Sequence, residues 1–140
     1  MASIEGFIDE VITELRKVSG IRFVPDDPTD QAGTTPFSPV YLTDGIAKQG
    51  PMGVVTYLDT VTVGLLANRE DLQRANQVIL PKKETVVEAL YDKHNSNSAP
   101  FTDIQTFGEI SYIYGPVEWG GIAMFGFLVT INDVKIQNTL

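Results

Sequence analysis

Residues that could perform covalent or metal chemistry are few and scattered in this chain. The one histidine, His94, lies near the end of a predicted helix. A catalytic triad or a common zinc site would need partner residues for it, and the sequence does not supply them. We interpret His94 as a residue of a helix C-terminal turn, where an imidazole interacts favourably with the helix dipole. The sequence predicts no catalytic residue and no enzyme.

An acidic cluster, Asp26, Asp27 and Asp30, is the nearest approach to a metal site. Carboxylates bind hard cations, but these three lack the ligand spacing of a calcium loop. We therefore interpret them as solvated charges on a loop. No Walker motif, dinucleotide fingerprint, nucleophile elbow or paired metal ligands occurs, so neither a cofactor nor a metal is expected.

Lysines and the sole tryptophan complete the residues of functional interest. Lys82, Lys83 and Lys93 fall on the second predicted helix, where they are expected to solubilise its outer face. Trp119 lies in a glycine-rich segment. Two interpretations of it stay open: a residue packed within a turn, or the anchor of a subunit interface.

Composition limits the class of protein. With 140 residues, of which 43% are hydrophobic, the chain is expected to form a single domain, 1–140, with a sizeable core. The net charge of −8 opposes tight binding to nucleic-acid phosphates. The absence of cysteine excludes disulfides and fits a reducing compartment. No secretory signal and no apolar stretch of membrane-spanning length is recognised, so we expect a protein made in a cytoplasm and not bound to a membrane.

The C-terminal forty residues predict a β-hairpin. Strand-like runs over 101–114 and 122–131 flank the Gly- and Pro-rich segment 115–121. The second run is apolar on both faces, with Phe127 and Val129 among the residues of one face. Ile122, Met124 and Leu128 form the other face. A strand apolar on both sides must be covered on both sides, and two helices are too few for that. Another subunit is the expected cover, so these three residues and Trp119 are candidate interface residues.

The remaining elements follow from periodicity and breakers. A first helix over about 3–19 is predicted, with Ser3 as its N-cap, and close packing is possible at Gly6. A short strand is predicted over 21–24, and a strand-rich segment over 53–66. In that segment two interpretations of Asp59 stay open: the register breaks near it, as at a bulge, or a loop ends there and the strand begins at Thr60. A second helix follows residues 68–71, and Pro81 is expected to kink or break it.

Segment 25–52 is interrupted by prolines and glycines, and only Val40–Leu42 predicts a strand within it. A loop of this length is usually functional or mobile. Its expected tip spans 31–35, where Gln31, Thr34 and Thr35 are candidate subunit contacts. The predicted fold class is α+β: one mainly antiparallel β-sheet with two helices packed on one face and a long Pro/Gly-rich loop.

Three segments resemble a known family. Tyr114-Gly-Pro-Val-Glu-Trp-Gly-Gly121 with its aromatic-rich following strand is similar to the C-terminus of tail terminator and related neck (head–tail joining) proteins of long-tailed bacteriophages. The first helix leading into Ile21–Pro25 resembles the start of that family, and Ser38–Leu42 resembles its next strand. The resemblance covers most of the chain in outline, although its individual motifs are not chemically unusual.

This resemblance implies a structural virion protein. Family members form a six-subunit ring that caps the finished tail tube and joins it to the head connector, so the implied partners are further copies of the chain, the tail tube protein and the connector. The implied location is the tail or neck of the virion. DNA would pass through the ring without being specifically bound.

A ring of identical subunits needs heterologous contacts, and an acidic channel would repel passing DNA. Candidate channel-facing residues are Asp26, Asp27, Asp30 and Glu109; the competing interpretation is that they are solvating charges on the outer wall. Two other functions stay open. One is a tail tube or other tail-joining protein, and the other is a small cytoplasmic enzyme subunit or ligand-binding domain.

Overall fold

The computed structural model describes residues 2–21, 23–25, 36–68 and 72–139. Its elements in chain order are α1 (Ile4–Arg16), β1 (Val40–Gln49), a 3-10 turn (Pro51–Gly53), β2 (Val54–Asn68), α2 (Leu72–His94), β3 (Ile110–Trp119) and β4 (Ile122–Thr139). The strands form one sheet in the order β1-β2-β4-β3, and every neighbouring pair is antiparallel. The predicted α+β class is confirmed.

Both helices pack on one face of this sheet, which we call the inner face. Val61 and Val63 of β2 and Val129 and Ile131 of β4 are fully buried there. The helices contribute buried residues to the same core: Phe7, Val11, Ile12 and Leu15 from α1, and Ile79, Val86 and Leu90 from α2. We call the opposite side of the sheet the helix-free face. Hydrophobic burial against the inner face is therefore what holds both helices in place.

The start of α1 is fixed by local hydrogen bonds. Ser3 is the N-cap, as predicted, and its hydroxyl accepts a hydrogen bond from the Gly6 amide at 3.1 Å. A Cβ on Gly6 would overlap the carboxylate of Asp103, so close packing there is confirmed. The Glu10 carboxylate accepts hydrogen bonds from the amides of Thr102 and Asp103 at 3.0 and 2.9 Å. These contacts attach the segment before β3 to α1.

Helix α2 is continuous from Leu72 to His94, so of the two predicted outcomes at Pro81, a kink or a break, the break is wrong. A proline removes only one backbone donor, and the loss is tolerated where tertiary packing holds the flanking turns. Ile79 and Val86, on either side of Pro81, are both buried in the core. The Pro81 carbonyl still accepts a hydrogen bond, from the Thr85 hydroxyl at 3.3 Å.

Two strand predictions need correction. Phe23 forms an isolated bridge to Phe37, and neither Ile21 nor Val24 belongs to a strand, so the described residues of 21–24 do not form the predicted strand. Strand β1 extends from Val40 to Gln49, well beyond the predicted Val40–Leu42, and segment 40–49 is therefore not loop. Asp, Gly, Lys and Gln are weak strand formers, but here they pair with Val55–Thr60 of β2, and pairing overrides propensity. The predicted loop tip, 31–35, lies outside the described residues.

The C-terminal hairpin is confirmed with different boundaries. Strand β3 starts at Ile110 and continues through Trp119, so the turn is only Gly120–Gly121. Their φ angles of 57° and 80° suit a two-residue type I′ turn, which strongly favours glycine. Residues 101–109 are irregular, and their buried side chains, Phe101, Ile104 and Phe107, join the core instead of forming a strand face.

Of the two interpretations of Asp59, the loop end is wrong, because β2 is continuous, and the register break is correct; it involves three strands. In β1, Thr43 is an extra residue between the pairs Leu42–Val61 and Asp44–Thr60. In β4, Asn132 and Asp133 together face one residue of β2, and Asp133 has a φ of 54°. Such bulges bend a strand and increase its twist. Beyond them the hairpin segment Asp44–Asp59, which we call the β1–β2 arm, pairs with Val134–Thr139 of β4.

Candidate functional site

The helix-free face is partly covered by the chain itself. Phe37, Leu66 and Met124 form a second buried cluster there, with Phe23, Val117 and Trp119 packed around it. We call these six residues the outer cluster. Met124 has only 2% of its surface exposed. The sequence interpretation that another subunit must cover Met124 is therefore corrected, because residues of its own chain already do so.

Trp119 provides much of this cover. It closes the β3–β4 hairpin opposite Ile122, yet its ring lies 5.8 Å from the Phe37 ring and 5.4 Å from the Tyr41 ring, between centroids. Because β2 and β4 separate β3 from β1, an in-plane hairpin would leave a gap of roughly 14 Å at about 4.8 Å per strand. The hairpin end must therefore curl across the helix-free face. Burial raises the pKa of Tyr41 above its ordinary value.

Two paired glycines mark the bend that permits this curl. Gly115 and Gly126 face each other across β3 and β4, and their φ angles are 155° and 156°. Residues other than glycine rarely adopt such φ angles. A Cβ on Gly126 would also overlap the carbonyl oxygen of Leu65, whereas a Cβ on Gly115 would meet nothing within 4 Å. The close approach of the Leu65 backbone thus requires glycine at position 126, and the φ angles favour glycine at both 115 and 126.

The β1–β2 arm presents the opposite picture. Its tip residue, Met52, is 92% exposed and adopts a φ of 61°. The β1 strand is exposed from Leu42 to Gln49. At the base of the arm the Asp59 carboxylate lies over Gly45, where a Cβ would overlap it. Partial burial raises the pKa of Asp59.

The free side of β3 forms a third surface. Tyr112, Ile113 and Tyr114 are 49%, 67% and 41% exposed. The Lys83 ammonium lies 4.4 Å from the Tyr112 ring centroid and 3.2 Å from its hydroxyl, and the Tyr114 hydroxyl donates to Asn76. These contacts hold the two tyrosines against α2. Ile113 points to the helix-free face, where it pairs with Leu128.

The structure locates only some of the predicted interface and channel residues. Ile122 is 50% exposed and Leu128 is half-buried, so both remain accessible on the helix-free face. Glu109 is exposed just before β3, and its carbonyl accepts a hydrogen bond from the Asn132 amide at 3.0 Å. Asp26, Asp27, Asp30, Gln31, Thr34 and Thr35 lie outside the described residues.

Sequence reasoning missed Ile46 and Ile113 as surface residues. Ile46 is 55% exposed and lies in a segment that was interpreted as loop. Ile113 was interpreted only as part of an alternating run. The available signal was Ile46 itself, an aliphatic residue whose neighbours two positions away, Asp44 and Lys48, are both charged.

The residues with chemical potential do not converge. Over 2–21, 23–25, 36–68 and 72–139, no three histidine, aspartate or glutamate side chains lie together as a metal site. The His94 ring packs 4.3 Å from the Phe107 ring, and Nε2 lies 3.2 Å from the Thr106 hydroxyl. Lys93, beside it in the last turn of α2, lies 3.6 Å from the Glu14 carboxylate. These contacts attach the end of α2 to its neighbours.

Comparison of the chain with protein-family models and with curated proteins finds no match. Neither described helix combines the length and apolar character required to cross a lipid bilayer.

Proposed function

We propose that this chain is a structural subunit of a long-tailed bacteriophage, a tail terminator that forms a ring at the junction of tail and head. Its resemblance to that family in 114–121, in the first helix and in 38–42 supports the proposal. An α+β domain whose two described helices both pack on the same face of the sheet is compatible with packing between subunits through the other face.

The distribution of exposed apolar side chains is the observation that carries the proposal. Among the described residues, the large exposed hydrophobics are Leu42, Ile46, Met52, Leu80, Tyr112, Ile113, Tyr114 and Ile122. Apart from Leu80, all of them lie on the two hairpins, which occupy opposite flanks of one sheet. Two different exposed apolar surfaces on one subunit suit the heterologous, head-to-tail contacts that close a ring.

In this role the chain forms a hexamer whose partners are the tail tube protein on one side and the head connector on the other. The β1–β2 arm is suited to contacts beyond a single subunit because its β1 strand is an exposed edge and Met52 at its tip is 92% exposed. The location is the virion tail or neck.

The acidic balance of the chain fits passage of DNA without binding. A channel wall with excess negative charge repels phosphates, and we propose that Glu109, together with Asp26, Asp27 and Asp30, faces the channel. If the channel were lined mainly by Lys82, Lys83 and Lys93, a DNA-gripping role would replace this one.

Cryo-electron microscopy of virions labelled through an epitope tag on this chain tests the proposal. The expected result is one ring of six copies at the head-proximal end of the tail. Density along the whole tail would instead identify a tube protein, and a single copy without symmetric neighbours would reject the ring. A tagged chain that is absent from particles would reject the virion role altogether.

A further inference from the structure

The sheet has two edges, and in the described part of the chain neither is paired. β1 bonds only to β2, and β3 bonds only to β4. An edge strand with unpaired amides and carbonyls is a template for another strand. Both edges also bear exposed aliphatic or aromatic side chains, which is unusual for edges that must remain single.

The topology determines how two copies can meet. Because all neighbours are antiparallel and the sheet has four strands, its two edge strands run in opposite directions. If a rotated copy extends the sheet, β3 of one subunit therefore meets β1 of the next in antiparallel orientation. This continues the existing pattern, and each subunit uses a different edge on each side, as a closing ring requires.

Only part of each edge is suitable for pairing. On β1 the bulge at Thr43 interrupts the strand and leaves Asp44–Gln49, of which Asp44–Lys48 matches the five residues usable on β3. On β3 the Ile110 amide already donates to the Tyr91 hydroxyl at 3.1 Å, and beyond Gly115 the hairpin curls away. The usable segment there is Ser111–Gly115. Both segments are five residues long, counting 44 to 48 and 111 to 115.

We propose that Asp44–Lys48 of one copy pairs antiparallel with Ser111–Gly115 of a second copy, with Ile46 opposite Ile113. This inference rests on the proposed ring and specifies its contact.

In this register, residues that pair across the two segments lie on the same face of the sheet. Gly45 pairs with Asp59, which pairs with the buried Val134, so Gly45 lies on the inner face and Ile46 on the helix-free face. Ile113 lies on the helix-free face as well, between the inner-face residues Tyr112 and Tyr114. The two most exposed isoleucines, at 55% and 67%, would therefore cover each other.

Side-chain size and charge also match. On the inner face, Ala47 and Gly45 come opposite Tyr112 and Tyr114, so the smallest residues of one edge meet the largest of the other. Lys48 comes opposite Ser111 and diagonal to Glu109, within reach of an opposite-charge pair.

Other registers lose this agreement. A slip of one residue would place Ile46 against the opposite face of the neighbouring edge. A slip of two would set Ile46 against Ser111 or Gly115 and leave Ile113 without an aliphatic partner. Registers are thus distinguishable by which residues come into contact.

Cysteine cross-linking tests the register directly, because the natural chain contains no cysteine. The test variant is Ile46→Cys/Ile113→Cys, oxidised mildly over a protein concentration series and analysed on non-reducing gels, with negative-stain microscopy of the same samples. We expect a ladder of covalent multimers and loss of the monomer band. Both positions are exposed, and circular dichroism checks that the variants fold.

Three controls make the result specific. The register-shifted variant Ile46→Cys/Ser111→Cys should remain largely monomeric on the gel, because diagonal Cα atoms are about 7–8 Å apart and disulfides seldom span more than 7 Å. The single variants Ile46→Cys and Ile113→Cys should give no covalent dimer, because head-to-tail pairing never brings two copies of one edge together. Ile113→Lys without cysteines should shift assembly to higher protein concentration.

Each other outcome overturns the proposed pairing. Dimers from a single variant would show that like edges meet, and equal cross-linking of the shifted variant would reject the register. Rings seen in micrographs but not cross-linked would reject the edge contact and leave the terminator proposal standing. No assembly at any concentration would also reject the edge contact, while the labelled virions decide the function separately.

Discussion

The two antiparallel hairpins of this protein differ in whether their ends are buried. The β3–β4 hairpin curls back over its own sheet, and its terminal Trp119 packs on Phe37 and Tyr41. The β1–β2 arm stays paired with the end of β4, and Met52 at its tip is 92% exposed. One hairpin buries its apolar end against its own chain, while the other leaves its tip exposed.

The difference originates in where each hairpin bends. Paired glycines at 115 and 126 turn the β3–β4 hairpin toward the helix-free face. The β1–β2 arm bends instead at the bulges beside Thr43 and Asp133, which redirect strands without folding the tip back. Whether an apolar hairpin end is buried thus depends on where the hairpin bends as much as on its sequence.

The largest effect is expected from Gly126→Ala, which should prevent the β3–β4 hairpin from curling. Its φ angle is unfavourable for alanine, and the new methyl group would overlap the Leu65 carbonyl. We expect a loss of about 3 kcal/mol or more in the free energy of unfolding, measured by chemical denaturation. Gly115→Ala is the matched control, because it has the same φ but open space, and should cost about 1 kcal/mol. Equal losses would refute the importance of the backbone approach.

The next effect compares the two tips directly. Trp119→Ala should lower the free energy of unfolding by about 2 kcal/mol, less than a fully buried tryptophan, because Phe37 and Tyr41 lose their aromatic cover. Met52→Ala should change it by no more than about 0.5 kcal/mol. Thermal and urea unfolding followed by far-ultraviolet circular dichroism measures both. A Met52 variant as unstable as the Trp119 variant would mean that the arm tip is part of the fold.

A smaller effect should appear at the base of the arm. The pKa of Asp59 is raised by partial burial, so the folded chain holds this proton more tightly than the unfolded chain. Stability from this group is therefore complete below the unfolded pKa, about 3.9, and is lost as pH rises through the folded pKa. Asp59→Asn should raise the melting temperature slightly at pH 7, and the gain should vanish near pH 3. Asp44→Asn, on the exposed part of the arm, is the control; a gain for Asp59→Asn that did not depend on pH would contradict this cause.

The smallest effect is expected where α2 holds β3. Lys83→Met removes the cation over the Tyr112 ring and should cost about 0.5 kcal/mol in the free energy of unfolding. Lys82→Met, whose side chain lies near Gly20, controls for loss of charge on the helix. The two variants are compared by urea unfolding at low salt, and a larger loss for Lys82→Met would exclude the proposed role of Lys83.

Patterns that depend on local periodicity were predictable from the sequence. The capped first helix, the break near Asp59 and the final hairpin all show their spacing or turn residues directly. The full length of strand β1 was less predictable from the sequence. Beyond Leu42 it consists largely of residues with weak strand propensity, and it forms because it pairs with β2. The continuity of α2 through Pro81 likewise depends on burial of Ile79 and Val86, which the chain order does not reveal.

The candidate site was predicted only in part. The second apolar face of β4 was recognised, but the chain itself covers Met124 through Phe37 and Leu66. Phe37 lies far from β4 in sequence, so no local pattern indicates this contact. Ile46 and Ile113 become conspicuous only when the sheet order places them on opposite edges.

The extra residues at Thr43 and at Asn132–Asp133 have a consequence for changes in chain length. They flank β2 on both sides at the same level, while β2 itself continues without an insertion. Removing Thr43 from β1 alone would make Leu42–Val61 and Asp44–Thr60 consecutive pairs, so Ile46 would keep its place on the helix-free face. Removing Asn132 or Asp133 from β4 alone would likewise leave Val134 opposite Asp59, and Val134 and Ile136 would stay buried. An alignment gap at either position would therefore signal a straighter, less twisted strand whose side chains face as before.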